Sequence, residues 1–446
     1  MQDTSHVADR HEAVCVIGAG ASGLAAVKNL REQGFAVDCY ERETSVGGAW
    51  NWRHDRSPIY AGTHLISSRP LTEFPDFPMP DTWPDYPHHA QVLSYLERYA
   101  AHFGLTEHVW FGTEVASVLP VGDGRWDVTT HGTGGGKARV QRYAAVVVAN
   151  GHNWAPRRPS VPGEFTRELI HACAYKDPAI LRGRKVLIIG GGNTGCDIAV
   201  DAAQQAATVW HSTRRGYWYA PKYVFGRPAD QVNAGTLKWR LPLRLRQWIF
   251  QRVLRLVVGD MTRYGVPTPD HRPFESHPIV NSQLAYYLGH GRITAVPDVA
   301  RFDGPAVELS DGRWIEPDLV ITATGYQPRF EFLAPELLDI DEDGRPDLHL
   351  HAFARRHPTL AVVGMLQPDA GLFPLVHWQS VAVARWLRLR ATDPVRAAAV
   401  QRKEAGRPLK TWARPGTLPT ERHWFEVSGT NYLRVLDDLL KRLEPA

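Results

Sequence analysis

Val16–Ala26 reads VIGAGASGLAA, and Leu187–Ala199 reads LIIGGGNTGCDIA. Both carry Gly-x-Gly-x-x-Gly: Gly18, Gly20 and Gly23 in the first, Gly190, Gly192 and Gly195 in the second. The apolar, β-branched run AVCVI leads into the first turn, as a strand buried on both faces requires. ASGLAAVKNLREQG follows with apolar residues at helical spacing and stops at Gly34. FAVDCYE is then a second strand whose end carries Glu41. Strand, tight turn, helix, strand and acid in this order predict a βαβ unit, with the helix N-terminus facing a pyrophosphate. A glycine turn alone would be no more than a βα connection.

Working outward, SVGGAWNW supplies a second close backbone approach at Gly47 and Gly48 and a flat ring at Trp50. A flavin uses that addition and a nicotinamide cofactor has no general need of it, so the first site is read as FAD. Gly18, Gly20, Ala21, Ser22, Gly23, Glu41, Gly48, Ala49 and Trp50 are its candidate contacts, and Val115 joins them. At the second loop Gly190, Gly192, Asn193, Thr194 and Gly195 repeat the turn, and the next strand ends His211-Ser212-Thr213-Arg214-Arg215. Ser212, Thr213 and Arg214 suit a 2′-phosphate that a carboxylate would repel, which favours NADPH over NADH. The bland reading, a basic surface loop, fits Arg215 alone better than the cluster. DLVITATGYQP brings an apolar strand to Thr324 and Gly325, where the chain can return to the first domain.

The 446 residues bury large cores in one to three domains, and 51 basic against 47 acidic residues leave a net charge of +4. That balance attracts phosphate-bearing cofactors and argues against a nucleic-acid partner. Four cysteines without a CxxC pair argue for packing thiols, against a metal centre and against a disulfide reductase. No apolar run approaches the ~20 residues of a membrane span, and no signal peptide is visible, so a cytoplasmic protein is expected.

FPDFPMP (Phe74–Pro80), HPIVN (His277–Asn281), ATGY and GNTGCDIA join the two loops in order, with FTRELIHACAY between them. On these motifs the sequence resembles the class B flavin-containing monooxygenases over nearly its whole length. The family signature Phe-x-Gly-x-x-x-His-x-x-x-Tyr/Phe falls on Phe165, His171 and Tyr175, with Arg167 in place of its glycine. The resemblance implies an α/β fold of two Rossmann-like dinucleotide-binding domains, the NADPH domain inserted into the FAD domain. The expected parts are a first FAD-binding part over 1–160, an NADPH domain over 161–324 with a helical insertion at about 217–281, and a second FAD-binding part over 325–446.

It also implies a reaction: NADPH reduces FAD, reduced flavin traps O₂ as a C4a-hydroperoxide, and a soft nitrogen or sulfur of a small substrate takes the distal oxygen. Baeyer–Villiger oxygenation, an NADPH oxidase releasing H₂O₂ and a non-catalytic redox sensor are the competing readings. A homodimer is left open. The family places an asparagine at the position of Ile66, where it bonds flavin and NADP⁺; Ser67 and Ser68, which follow, are the candidate substitutes. His171 is read as structural rather than as a general acid. The basic stretch LKWRLPLRLRQWIFQRVLRLVVGD could lie on a membrane, but is read instead as a subdomain packing its apolar face over the cofactor cleft.

Overall fold

The computed structural model describes residues 8–237, 241–407 and 424–444. The polar start of the chain and Lys238, Trp239 and Arg240 of the basic stretch lie outside the described residues. The chain divides into two compact units: residues 1–57, 69–152 and 328–446 form one, and 58–68 with 153–327 form the other.

Unit 1 is built on a mixed sheet. β1 (Ala8–Ile17) pairs in parallel with β2 (Val37–Tyr40) on one side and with the late strand Arg139–Val148 on the other. Val14, Cys15 and Val16 are fully buried, and each such side chain removed from water contributes about 1.5–3 kcal/mol. Helix α1 (Ala21–Glu32) connects β1 to β2 and buries Leu24, Ala25, Val27 and Leu30. Because β2 lies on one side of β1 and Arg139–Val148 on the other, the sheet's switch point falls at the Gly18 turn, where this fold class opens a crevice. Thr113–Pro120 and Trp126–Gly132 extend the same sheet as antiparallel strands. Gly132–Lys137 lies at the turn that connects Trp126–Gly132 to its antiparallel partner Arg139–Val148.

The proline-rich segment after Ser68 is ordered by aromatic packing within the same unit. Phe74 is buried between Tyr99 and Phe373, with ring centroids 4.5 and 5.0 Å away. Its backbone N–H donates to Tyr95 Oη at 2.7 Å, and that hydroxyl donates on to Phe77 O. Phe373 opens the helix Phe373–Thr392, so this side chain packs rather than facing a substrate.

Unit 2 carries a five-stranded parallel sheet. Its strand order is Thr294–Val296, Thr208–Ser212, Lys185–Ile189, Leu319–Thr322 and Glu168–His171. The helix Asn193–Gln205 follows Lys185–Ile189 and buries Cys196, Ile198, Ala199, Ala202 and Ala203. Here too the neighbours of the central strand lie on opposite sides, placing the switch point at the Gly190 turn. Between Ser212 and Thr294 the doubly wound pattern gives way to helices at Ala229–Leu237 and Leu243–Val257.

Pro58–Ser68 belongs by its contacts to unit 2, although the sequence reading leaves it in the first FAD-binding part. Tyr60 Oη donates to Asp197 at 3.1 Å, Ala61 N to Lys176 O at 2.8 Å, and Lys222 Nζ to Leu65 O at 3.3 Å. Partners so distant in sequence give no local signal, which is why hydropathy alone does not detach this segment.

Candidate functional site

The two glycine turns have the same construction. Gly18 and Gly190 hold φ at +102° and +131°, in the region that favours glycine. A Cβ on Gly18 would lie 2.7 Å from Ala149 O, and one on Gly190 2.3 Å from Ala323 O. At the third glycine the helix presses on the turn itself: a Cβ on Gly23 would lie 1.8 Å from Gly18 O, and one on Gly195 1.9 Å from Gly190 O. Both helices start from a glycine N-cap, Gly20 or Gly192, with no side chain capping the first turn. Neither first turn contains an acid. Each turn thus offers backbone N–H donors and a positive dipole end to an anion.

The strand ends beside the turns differ in charge. In unit 1 Glu41 is buried; its Oε2 accepts from Ala19 N at 2.7 Å and its Oε1 from Glu43 N at 2.9 Å. The carboxylate therefore braces the glycine turn and keeps lone-pair sites for further donors. Next to it Arg42 pairs through Nε with Glu43 Oε1 at 3.4 Å while its Nη1 is buried without a hydrogen-bond partner, and Asn150 Oδ1 is likewise buried without one. Orphaned buried groups beside a glycine turn fit a polar ligand. The sequence reading passed over both residues, although Arg42 follows Glu41 directly and Asn150 ends the apolar run AAVVVAN. Gly48 approaches Gly20 so closely that a Cβ on it would lie 2.8 Å from Gly20 Cα, bringing the Gly47-Gly48 segment against the turn. Ala49 is exposed, Trp50 half-buried, and Ala49 O accepts from Ser57 Oγ at 2.6 Å. On the other side Gly364 abuts Ser22, with a virtual Cβ 2.1 Å from Ser22 Oγ. Gly364 N donates to the fully buried Gln379 at 2.8 Å, so Gln379 positions this contact and does not face a substrate. Val115 is buried in the apolar cluster that also holds Ile17, Tyr40 and Val118.

In unit 2 the strand end carries no acid. Ser212 is buried and donates through Oγ to Pro297 O at 2.8 Å, so its hydroxyl is already committed. Thr213 is buried with Oγ1 unpartnered, and Arg214 is exposed. Asn193 Oδ1 accepts from Val280 N at 2.8 Å, tying the helix start to the HPIVN segment; Thr194 is half-buried. Thr324 donates through Oγ1 to Arg157 O at 2.5 Å, while Gly325 O accepts from Arg157 N at 2.9 Å.

His171 has both nitrogens engaged. Nδ1 accepts from Cys173 N at 3.1 Å, so Nε2 carries the proton toward Gly325 O at 3.1 Å. Burial lowers its pKa, and this neutral, fully bonded imidazole is structural, as expected. Arg167 donates to Pro317 O at 3.0 Å and lies 3.3 Å from Asp318.

In the segment Pro58–Ser68, Ile66 is 39 % exposed. Ser68 is fully buried: its N–H donates to Asp230 Oδ2 at 2.5 Å and its Oγ accepts from Gln231 Nε2 at 3.2 Å. Behind this segment Asp197 accepts from Tyr60 and, at 2.7 Å, from Asn281 Nδ2, and Tyr175 donates to Asp201 at 2.8 Å. Removal from water pushes the Asp197 carboxyl up to about 6 against these two donors. Among the described residues no group of His, Cys, Asp and Glu could hold a metal ion.

Two glycine-turn folds of this kind, one closed by an acid and one by a cation, define a two-dinucleotide flavoprotein. Residues 11–442 match the Flavin-binding monooxygenase-like family, and the chain belongs to it. Flavin-containing monooxygenase 5 of Oryctolagus cuniculus is 33 % identical over 395 residues, covering 84 % of this chain and 72 % of the relative. Dimethylaniline monooxygenase [N-oxide-forming] 2 of Rattus norvegicus is 33 % identical over 393 residues with the same coverage. Among solved structures, the S-allyl-L-cysteine S-oxygenase of Allium sativum shares the fold, with a TM-score of 0.66, 24 % identity and 98 % and 89 % of the two chains covered. The protein is an oxidoreductase, an NADPH- and O₂-dependent flavoprotein monooxygenase whose cofactors are FAD and NADPH. No helix among the described residues is long and apolar enough to cross a membrane.

Proposed function

We propose that the protein oxygenates a soft nitrogen or sulfur centre of a small organic molecule, with FAD on the Gly18 turn and NADPH on the Gly190 turn. The difference in charge between the two strand ends carries the cofactor assignment. Glu41, held rigid by Ala19 N and Glu43 N, is placed to accept from ribose hydroxyls. Arg214 and the unpartnered Thr213 hydroxyl suit a 2′-phosphate. Ser212 supports this end through Pro297 rather than by its own contact. In this reading Gly18, Gly20, Ala21, Ser22 and Gly23 cradle the FAD pyrophosphate. Gly190, Gly192, Asn193, Thr194 and Gly195 do the same for NADPH. Gly48, Ala49, Trp50, Arg42 and Asn150 complete the flavin side.

When bound, the flavin supplies the electron transfer from NADPH and the activation of O₂; the protein supplies orientation and exclusion of water. That division of labour fits a site region in which His171 is fully bonded and Ser68 is closed off. The choice of nitrogen or sulfur rests on the family and on relatives whose names specify N-oxide formation and S-oxygenation. NADPH and O₂ consumption measured with amines, sulfides and ketones, with peroxide counted and products identified, tests it. N-oxide or sulfoxide formed in proportion to NADPH supports the reading; ester formed from a ketone, or peroxide as the only product, overturns it.

A further inference from the structure

The helix Leu243–Val257, LRLRQWIFQRVLRLV, is apolar on two opposite sides. At about 100° per residue, Leu243, Phe250, Leu254 and Val258 form one side. Leu254 is buried, Phe250 lies 4.7 Å from Phe274 between ring centroids, and the neighbouring Gln247 donates to Pro273 O at 3.0 Å. This side packs against the Pro273-Phe274 segment of the same insertion. On the other side Leu245, Trp248, Ile249 and Leu256 fall within an arc of roughly 100°, and all four are exposed, Trp248 at 55 % and Leu256 at 87 %.

A helix apolar on two sides would ordinarily bury both, and this one buries only the first. Its four charged residues are all arginines (Arg244, Arg246, Arg252 and Arg255), and it contains no acid. Arg252 is exposed in the middle of the outer apolar stripe, between Trp248 and Leu256; the exposed Arg244 and Arg255 flank the stripe on one side, and Arg246 lies on the other. Arg252 lies over the Trp248 ring, 5.3 Å from its centroid. Phe225, in a hairpin turn of the same insertion, is 86 % exposed.

We infer that this outer face is a docking surface for an anionic lipid bilayer, on which the helix lies flat without crossing. An exposed tryptophan among leucines and isoleucine suits the depth of the headgroup boundary, and arginines without acids suit a negatively charged surface. A second copy of the chain is the poorer occupant. A two-fold contact through this helix would set one row of arginines against another, with no carboxylate on the helix to pair them.

The test uses the FAD-loaded protein in flotation with vesicles of phosphatidylcholine, with and without phosphatidylglycerol. The native protein should float with the phosphatidylglycerol vesicles, and added salt should weaken binding. The double variant Trp248→Glu, Leu256→Glu should bind at least about tenfold more weakly while keeping its FAD content and melting temperature. Should it fail to fold, Arg252→Glu with Arg255→Glu tests the charge contribution alone. Failure of the native protein to float, or equal flotation of native and folded variants, overturns the proposal. So does a native dimer in sedimentation that the double variant abolishes, because the face would then belong to a second copy.

Discussion

Substituting alanine at the third glycine of either turn separates the two cofactor assignments. In Gly23→Ala the new methyl would lie 1.8 Å from Gly18 O and 2.8 Å from Gly18 C, where real Cβ contacts stop at 3.0 Å. Relief therefore requires the helix Ala21–Glu32 and the turn to part by about 1.2 Å. Neither partner is a side chain that can swing away. The turn is fixed by Gly18 N to Tyr40 O at 2.8 Å, and the helix by the fully buried Leu24, Ala25 and Val27. Overpacking of this kind costs about 1–3 kcal/mol, and withdrawing the helix N-terminus removes charge-assisted contacts worth about 1.5–3 kcal/mol. A combined loss of about 3 kcal/mol or more lowers affinity by roughly 150-fold.

Gly195→Ala meets the same obstacle at 1.9 Å in the second turn. Purified Gly23→Ala should be nearly colourless. Gly195→Ala should remain yellow with one FAD per chain, yet need at least about a hundredfold more NADPH for anaerobic flavin reduction. Absorbance at purification and anaerobic stopped-flow reduction measure the two quantities, and circular dichroism checks the fold. A Gly23→Ala protein with full FAD and a colourless Gly195→Ala protein would show the assignments reversed. Full activity in both would refute the steric reasoning itself.

Arg214→Ala should weaken NADPH binding by about 1.5–3 kcal/mol, roughly ten- to 150-fold, and leave NADH binding nearly unchanged; equal losses in a titration with both cofactors would remove Arg214 from the site. Asp197 has a folded-state pKa of about 6 against an ordinary 3.8, so its contribution to stability is complete below pH 3.8 and is lost as pH rises through 6. The native protein should lose up to about 3 kcal/mol from this residue across that window. Asp197→Asn should remove that pH dependence in denaturant melts, and an unchanged slope would point to other groups. Ile66→Asn should cut the H₂O₂ released per NADPH by about fivefold if the amide recovers ~1 kcal/mol of stabilisation; a peroxidase-coupled assay with an unchanged yield would show the amide to be dispensable.

Much of this molecule is legible in a local reading because the physics is local. The Gly18 and Gly190 turns, the helices after them and the acid or cation at the next strand end all fall within a few tens of residues. What the sequence hides is long-range commitment. Ser212 looks available to a phosphate, but it donates to Pro297, 85 residues on. Ser68 looks able to replace an amide, but Asp230 and Gln231, more than 160 residues away, hold it. The second apolar face of Leu243–Val257 is visible in the periodicity, yet only exposure in the folded chain separates it from the packing face. Arg42 becomes a candidate only through the burial of its unbonded Nη1, which no sequence pattern shows.

The allocation of Pro58–Ser68 to unit 2 means that the chain passes between the units four times, at 57/58, 68/69, 152/153 and 327/328. A gene fragment covering 153–327 would therefore not be a self-sufficient nucleotide-binding module. It would strip Asp197 of Tyr60, Asp230 of Ser68 and Lys222 of Leu65 O, leaving polar groups that the intact protein satisfies. Swapping this module between relatives would succeed only with the eleven-residue strap exchanged alongside it.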